Sequence, residues 1–149
     1  MSDHEAKGPD LDGRVEVRRT VPADAEDVYR AWTDPSLLSR WMSPSGSAET
    51  EVDLRIGGRF RVVMRGEGRT IEHTGEYLEL EPGRRLAFTW TSPYTGEHPS
   101  LVTVTLDGRE GRTDVVVTHE RLPQDAAESH GRGWGAMIER LEVLLDGGS

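Results

Sequence analysis

Apolar and polar positions alternate with period two through most of the chain and switch to a period near four at its end. Val15 and Val17 share one face of a strand that Pro22 stops. Asp24 is placed to cap a first helix carrying Val28, Ala31 and Trp32, and Thr33-Asp34-Pro35 ends it and starts a second helix striped by Leu37, Leu38, Trp41 and Met42. Pro44 to Gly46 closes that helix.

The middle of the chain reads as an antiparallel meander. Glu49 to Leu54 is a first run, Gly57-Gly58 a reversal, and Phe60, Val62 and Met64 one face of the next strand. Gly66-Glu67-Gly68 turns into a strand from Thr70 to Leu80, and Glu81-Pro82-Gly83 turns into Leu86, Phe88 and Trp90. After the loop from Ser92 to Pro99 come Val102, Val104 and Leu106, then Val115, Val117 and His119. Beyond Pro123, Trp134, Met137, Ile138, Leu141, Leu144 and Leu145 fall on one helical stripe, which Gly147-Gly148 ends. Gly131, Gly133 and Gly135 precede or open that helix, so either the backbone approaches something closely or bends there, or the helix starts only near Trp134.

A strand, two short helices, about six strands and one long helix predict an α+β helix-grip fold, a curved antiparallel sheet of six to seven strands around the C-terminal helix. The long helix is the element expected to cover the sheet's apolar face. Residues 1–12 read as a flexible leader and 13–146 as the domain. A curved sheet and a straight helix do not fit flush everywhere, so a pocket is expected between them.

Composition narrows the functions. In 149 residues, 27 acidic against 18 basic side chains give a net charge of −9, which opposes nucleic-acid binding. Lys7 is the one lysine and cysteine is absent, which removes Schiff-base lysines, P-loop lysines, disulfides and thiolate chemistry. No run resembles a signal peptide or a membrane span, so a cytoplasmic monomer or homodimer is expected. No cofactor motif stands out and none is expected.

Several stretches, in colinear order over about residues 14 to 145, resemble one family. They are Arg30-Ala31-Trp32-Thr33-Asp34-Pro35, Arg40-Trp41-Met42, Gly57-Gly58-Arg59-Phe60, Gly75 through Pro82, Arg85 through Trp90, Val117-Thr118-His119-Glu120, His130 and Gly133-Trp134. The chain is similar to the activator of heat-shock-protein-90 ATPase homologue-like group of the START-like (SRPBCC) superfamily. That resemblance implies the helix-grip fold and a hydrophobic cavity, and it makes a chaperone one candidate partner.

The expected function is binding of a small apolar or amphipathic molecule, whether lipid, aromatic or polyketide-like. Trp134, Met137, Ile138 and Leu141 are placed as the roof of the pocket, Phe60, Val62, Met64, Phe88 and Trp90 as its floor, with Trp41 beside them. His73, Tyr77 or His119 is expected to orient one polar group, and on an alternating strand His73, Gly75 and Tyr77 face in while Glu72 and Glu76 face out. The alternatives are a cyclase- or hydrolase-type enzyme with a pocket histidine as base, and a chaperone-ATPase-interacting stress-response module. The ten residues between His119 and His130 match no standard ligand spacing, so no metal is expected.

Overall fold

The computed structural model describes residues 12–43, 48–66, 68–95 and 98–146. The expected leader and the turns proposed at Pro44 to Gly46, Glu67 and Gly147-Gly148 fall wholly or largely outside the described residues.

Seven strands follow the expected meander: β1 (Gly13–Val21), β2 (Glu49–Val52), β3 (Arg59–Gly66), β4 (Arg69–Glu81), β5 (Arg85–Trp90), β6 (Ser100–Arg109) and β7 (Arg112–Leu122). They form one antiparallel sheet in the order β1-β7-β6-β5-β4-β3-β2. Because each hairpin partner follows in sequence, the path is a meander except that β1 pairs with the last strand, β7. Alternation along β6 and β7 buries Val102, Val104, Val115, Val117 and His119 on the concave face.

Helices α1 (Ala25–Thr33), α2 (Pro35–Trp41) and α3 (Ala127–Asp146) lie on that face. Asp24 occupies the cap of α1 without a side-chain hydrogen bond. Asp34 does cap α2, accepting from the Ser36 backbone N–H at 2.8 Å and from the Ser36 hydroxyl at 2.7 Å. The long helix is not the only cover for the sheet: Trp32 of α1 and Leu38 and Trp41 of α2 are as deeply buried as Trp134 of α3.

The C-terminal helix begins seven residues before Trp134, at Ala127, and runs through all three glycines. A Cβ on Gly131 would meet Val15 of β1 at 3.4 Å, so there the helix and sheet are in contact, whereas Gly133 and Gly135 have nothing within 4 Å of that position. Close approach therefore accounts for one glycine of the three, and a delayed start for none.

A register shift between Tyr77 and Glu79 leaves Leu78 as the extra residue of a β-bulge. Up to that point His73, Gly75 and Tyr77 alternate inward, with Glu72 exposed. Beyond it Leu80, paired with the buried Leu86, continues the core face.

Candidate functional site

Between the helices and the sheet lies a cluster of rings. Trp90 at the end of β5 stands near its centre, with centroid distances of 4.7 Å to His73, 5.4 Å to Trp134, 6.0 Å to Phe60, 6.2 Å to Phe88 and 6.5 Å to His119. Trp32 connects this group to the helices, stacked on Trp134 at 5.8 Å and edge-on to Trp41 at 4.7 Å. Such pairs each contribute about 0.5–1.5 kcal/mol beyond the burial of their area.

Among the described residues these rings pack against one another with little space between them. A cavity of about 10 Å³ remains, lined by Trp32, Leu38, Met42, Phe60, Val62, Tyr77, Phe88 and Trp90. That is about one water's worth of room. Phe60, Val62, Tyr77, Phe88 and Trp90 thus border the cavity as candidates from the sequence, whereas Trp41, Met64, His73, His119, Trp134, Met137, Ile138 and Leu141 stand back from it. Trp32, Leu38 and Met42 border it too. Their signal was the apolar stripe of the two short helices, which marks burial without saying against what.

His119 is fully committed. The Trp134 indole N–H, which can only donate, reaches its Nδ1 at 2.9 Å, so Nδ1 holds the lone pair and Nε2 the proton. Nε2 then donates to the Ser100 hydroxyl at 2.7 Å, and Ser100 donates onward to the Trp90 carbonyl at 2.5 Å. Burial, and after it the neighbouring His130 and His73, hold the ring neutral and push its pKa down to about 3. A histidine with both nitrogens engaged has no lone pair free to take a proton from a substrate. His130 turns its Nδ1–H to the Ala126 carbonyl at 2.8 Å and meets His119 edge to face at 5.1 Å.

Two polar atoms are different. Trp32 Nε1 and His73 Nδ1 are buried with no hydrogen-bond partner among the described residues. Burial lowers the His73 pKa to about 4, and it raises that of the Tyr77 hydroxyl. Leaving a buried donor unmatched costs about 1–3 kcal/mol, so such atoms are rare and call for an explanation.

Three tryptophans on this wall isolate that cost, since Trp→Phe removes the same atoms each time. Trp41 donates to the Ala31 carbonyl at 2.9 Å and Trp134 to His119, whereas Trp32 donates to nothing described. In urea unfolding, W32F is expected to be less destabilising than W41F or W134F by about 1–3 kcal/mol. Equal losses for all three would mean that the Trp32 N–H is bonded.

Among the described residues no group of three or more histidine, cysteine or acidic side chains could hold a metal, and no helix is long and apolar enough to cross a membrane.

A curved antiparallel sheet closed by a long C-terminal helix over an aromatic interior defines a helix-grip domain of the START-like type. Residues 22–146 match the family described as activator of Hsp90 ATPase homolog 1-like protein, and the chain belongs to that family. The mouse activator of 90 kDa heat shock protein ATPase homolog 1 is 24% identical over 122 residues, covering 81% of this chain and 33% of the mouse protein. The chain therefore spans about a third of the length of the curated relatives it matches. Among solved structures, protein CV1439 from Chromobacterium violaceum is similar with a TM-score of 0.78 and 28% identity, covering 89% of this chain and 96% of that one. PFC0360w, an HSP90 activator from Plasmodium falciparum, is similar with a TM-score of 0.74 and 26% identity, covering 90% and 96%.

Proposed function

We propose that the chain binds a small, planar, mostly apolar molecule between its helices and the concave face of the sheet, with one acceptor group on the ligand taking the Trp32 indole N–H. The observation that carries this reading is the buried Trp32 Nε1, a donor without a partner among the described residues, set in walls that are otherwise aromatic and aliphatic. Apolar walls supply affinity, and a few placed polar groups supply orientation. Of lipid, aromatic and polyketide-like ligands, a flat ring system suits these walls best, because it can stack where the rings now stack on one another.

The cavity among these rings has about 10 Å³ of space, so nothing larger than a water enters it there unless the rings part. Binding is then coupled to an opening of the core, and part of the affinity is spent on that opening. His119, locked between Trp134 and Ser100, serves as a structural pin rather than as a base.

The test is a matched pair of ligands, 1-acetonaphthone and 1-ethylnaphthalene, which differ in the carbonyl acceptor. The ketone is expected to bind more tightly by about tenfold, as one hydrogen bond to a buried donor warrants, and W32F is expected to erase the difference. Failure of both to bind, or equal affinity for the wild type, would overturn the reading.

A second reading, action on a chaperone ATPase, is supported by the likeness to the mouse activator of 90 kDa heat shock protein ATPase and to the Plasmodium HSP90 activator. It predicts a change in the ATPase rate of a 90 kDa heat-shock chaperone when the chain is added without any small molecule. An unchanged rate would remove it and leave the first reading standing.

A further inference from the structure

A second concavity lies on the outer side of the helices. It is an open groove of about 490 Å³ between α2 and α3, lined by Arg40, Ala136, Glu139, Arg140, Val143 and Leu144. The five α3 residues fall at i, i+3, i+4, i+7 and i+8, a straight stripe roughly 12 Å long at 1.5 Å per residue. Val143 is 71% exposed, whereas the other large apolar side chains of α3 are buried or half-buried.

The charges are arranged unequally. Glu139, the groove's acid, stands 4.0 Å from Arg19 of β1, which also pairs with Glu142. Arg140 is partly buried and uses its Nε–H on the Trp41 carbonyl at 2.9 Å, which ties α3 to the end of α2. No carboxylate among the described residues comes within 4.0 Å of Arg40 or of Arg140, and burial lowers the Arg140 pKa. Two cations, one of them partly desolvated and neither ion-paired within 4.0 Å to an acid of the described residues, therefore face a partly apolar groove in which Glu139 is the one acid and acts on Arg140 only at longer range.

We infer that this groove docks a segment of a partner protein that is acidic and apolar in alternation, with a carboxylate on Arg140 and Arg40 and an aliphatic side chain on Ala136, Val143 and Leu144. The groove is long and open rather than enclosing, which suits a peptide laid along α3 better than a small acid. Guanidinium groups bind carboxylates in a planar, two-point fashion, and a partly desolvated one forms the stronger bond. Because the whole chain carries −9, long-range attraction does not assist an acidic partner. Recognition rests on these two arginines, so losing either should be felt at once.

The experiment uses the full chain and a short fluorescein-labelled helical peptide with glutamate and leucine on one face, read by fluorescence anisotropy. Arg40→Gln and Val143→Glu, both at exposed positions, are each expected to weaken binding about tenfold, the worth of one charge-assisted hydrogen bond or of one buried aliphatic contact. Arg140→Gln is expected to weaken it further, and a thermal melt separates that loss from a loosened Trp41 contact. Replacing the peptide's glutamates by lysines should abolish binding. The proposal is overturned if the acidic peptide does not bind, if the lysine peptide binds equally, if Arg40→Gln and Val143→Glu leave binding unchanged, or if decanoate displaces the peptide at comparable concentration, which would make the groove a site for small acids.

Discussion

Lowering the pH from 8 to 5 is expected to remove about 4 kcal/mol of folding stability through two buried histidines alone. In the unfolded chain His73 and His119 titrate near the ordinary value of 6.5, and in the folded chain burial holds them at about 4 and about 3. Between those limits the unfolded state binds more protons than the folded one. The stabilisation is therefore complete above the unfolded pKa and is lost as pH falls toward the folded values. Protonating His119 would also set a second donor against the Trp134 indole N–H, and the imidazolium would face His130 at 5.1 Å with no carboxylate bonded to it among the described residues. Urea unfolding at a series of pH values checks this, the window from 6.5 to 5 being read because surface carboxylates titrate lower. His119→Gln, which can accept from Trp134 and donate to Ser100 without titrating, is expected to halve the slope there. A flat profile through that window would show that the rings are not held neutral by burial.

Gly75→Ala is the second large effect, expected to cost about 3 kcal/mol or more. An added Cβ would stand 2.0 Å from the Thr89 carbonyl oxygen and 2.3 Å from the Phe60 ring, which lies across Gly75 as its partner on β3. The absence of a side chain here lets Phe60 fold over β4 toward Tyr77, Phe88 and Trp90, at 5.3, 5.2 and 6.0 Å. Adding Phe60→Leu should return part of the loss and no more, because the Thr89 carbonyl is backbone and cannot step aside. Denaturant unfolding of the two single variants and the double variant measures that coupling. A near-neutral Gly75→Ala would mean that β4 and β5 separate more easily than their packing implies.

The elements were legible from the chain because each exposes one face. Period two along Val102-Val104-Leu106 and Val115-Val117-His119, and the stripe from Trp134 to Leu145, follow directly from which side chains must leave water. The first two turns or so of α3 were not legible, since Gly131, Gly133 and Gly135 lower helix propensity and tertiary packing against β1 overrides them. Nor was the close meeting of these rings. Periodicity assigns Phe60, Phe88 and Trp90 to a face, but whether opposing rings meet or leave a gap depends on distances of a few ångströms that no pattern of residue types encodes. The same holds for the hydrogen bonds. Trp32, Trp41 and Trp134 look alike in sequence, and the partner of each indole N–H is set by the backbone and side chains that happen to stand opposite it.

The central claim, that the aromatic interior opens to a planar ligand and that Trp32 supplies its polar contact, is tested most directly by the indole N–H resonances of the ¹⁵N-labelled protein. Four tryptophans give a small set of assignable signals, which the W32F, W41F and W134F variants identify. On titration with 1-acetonaphthone the Trp32 resonance is expected to move downfield as it gains an acceptor, while that of Trp41, bonded to the Ala31 carbonyl, moves little. A Trp32 resonance that stays in place at saturating ketone would contradict the account.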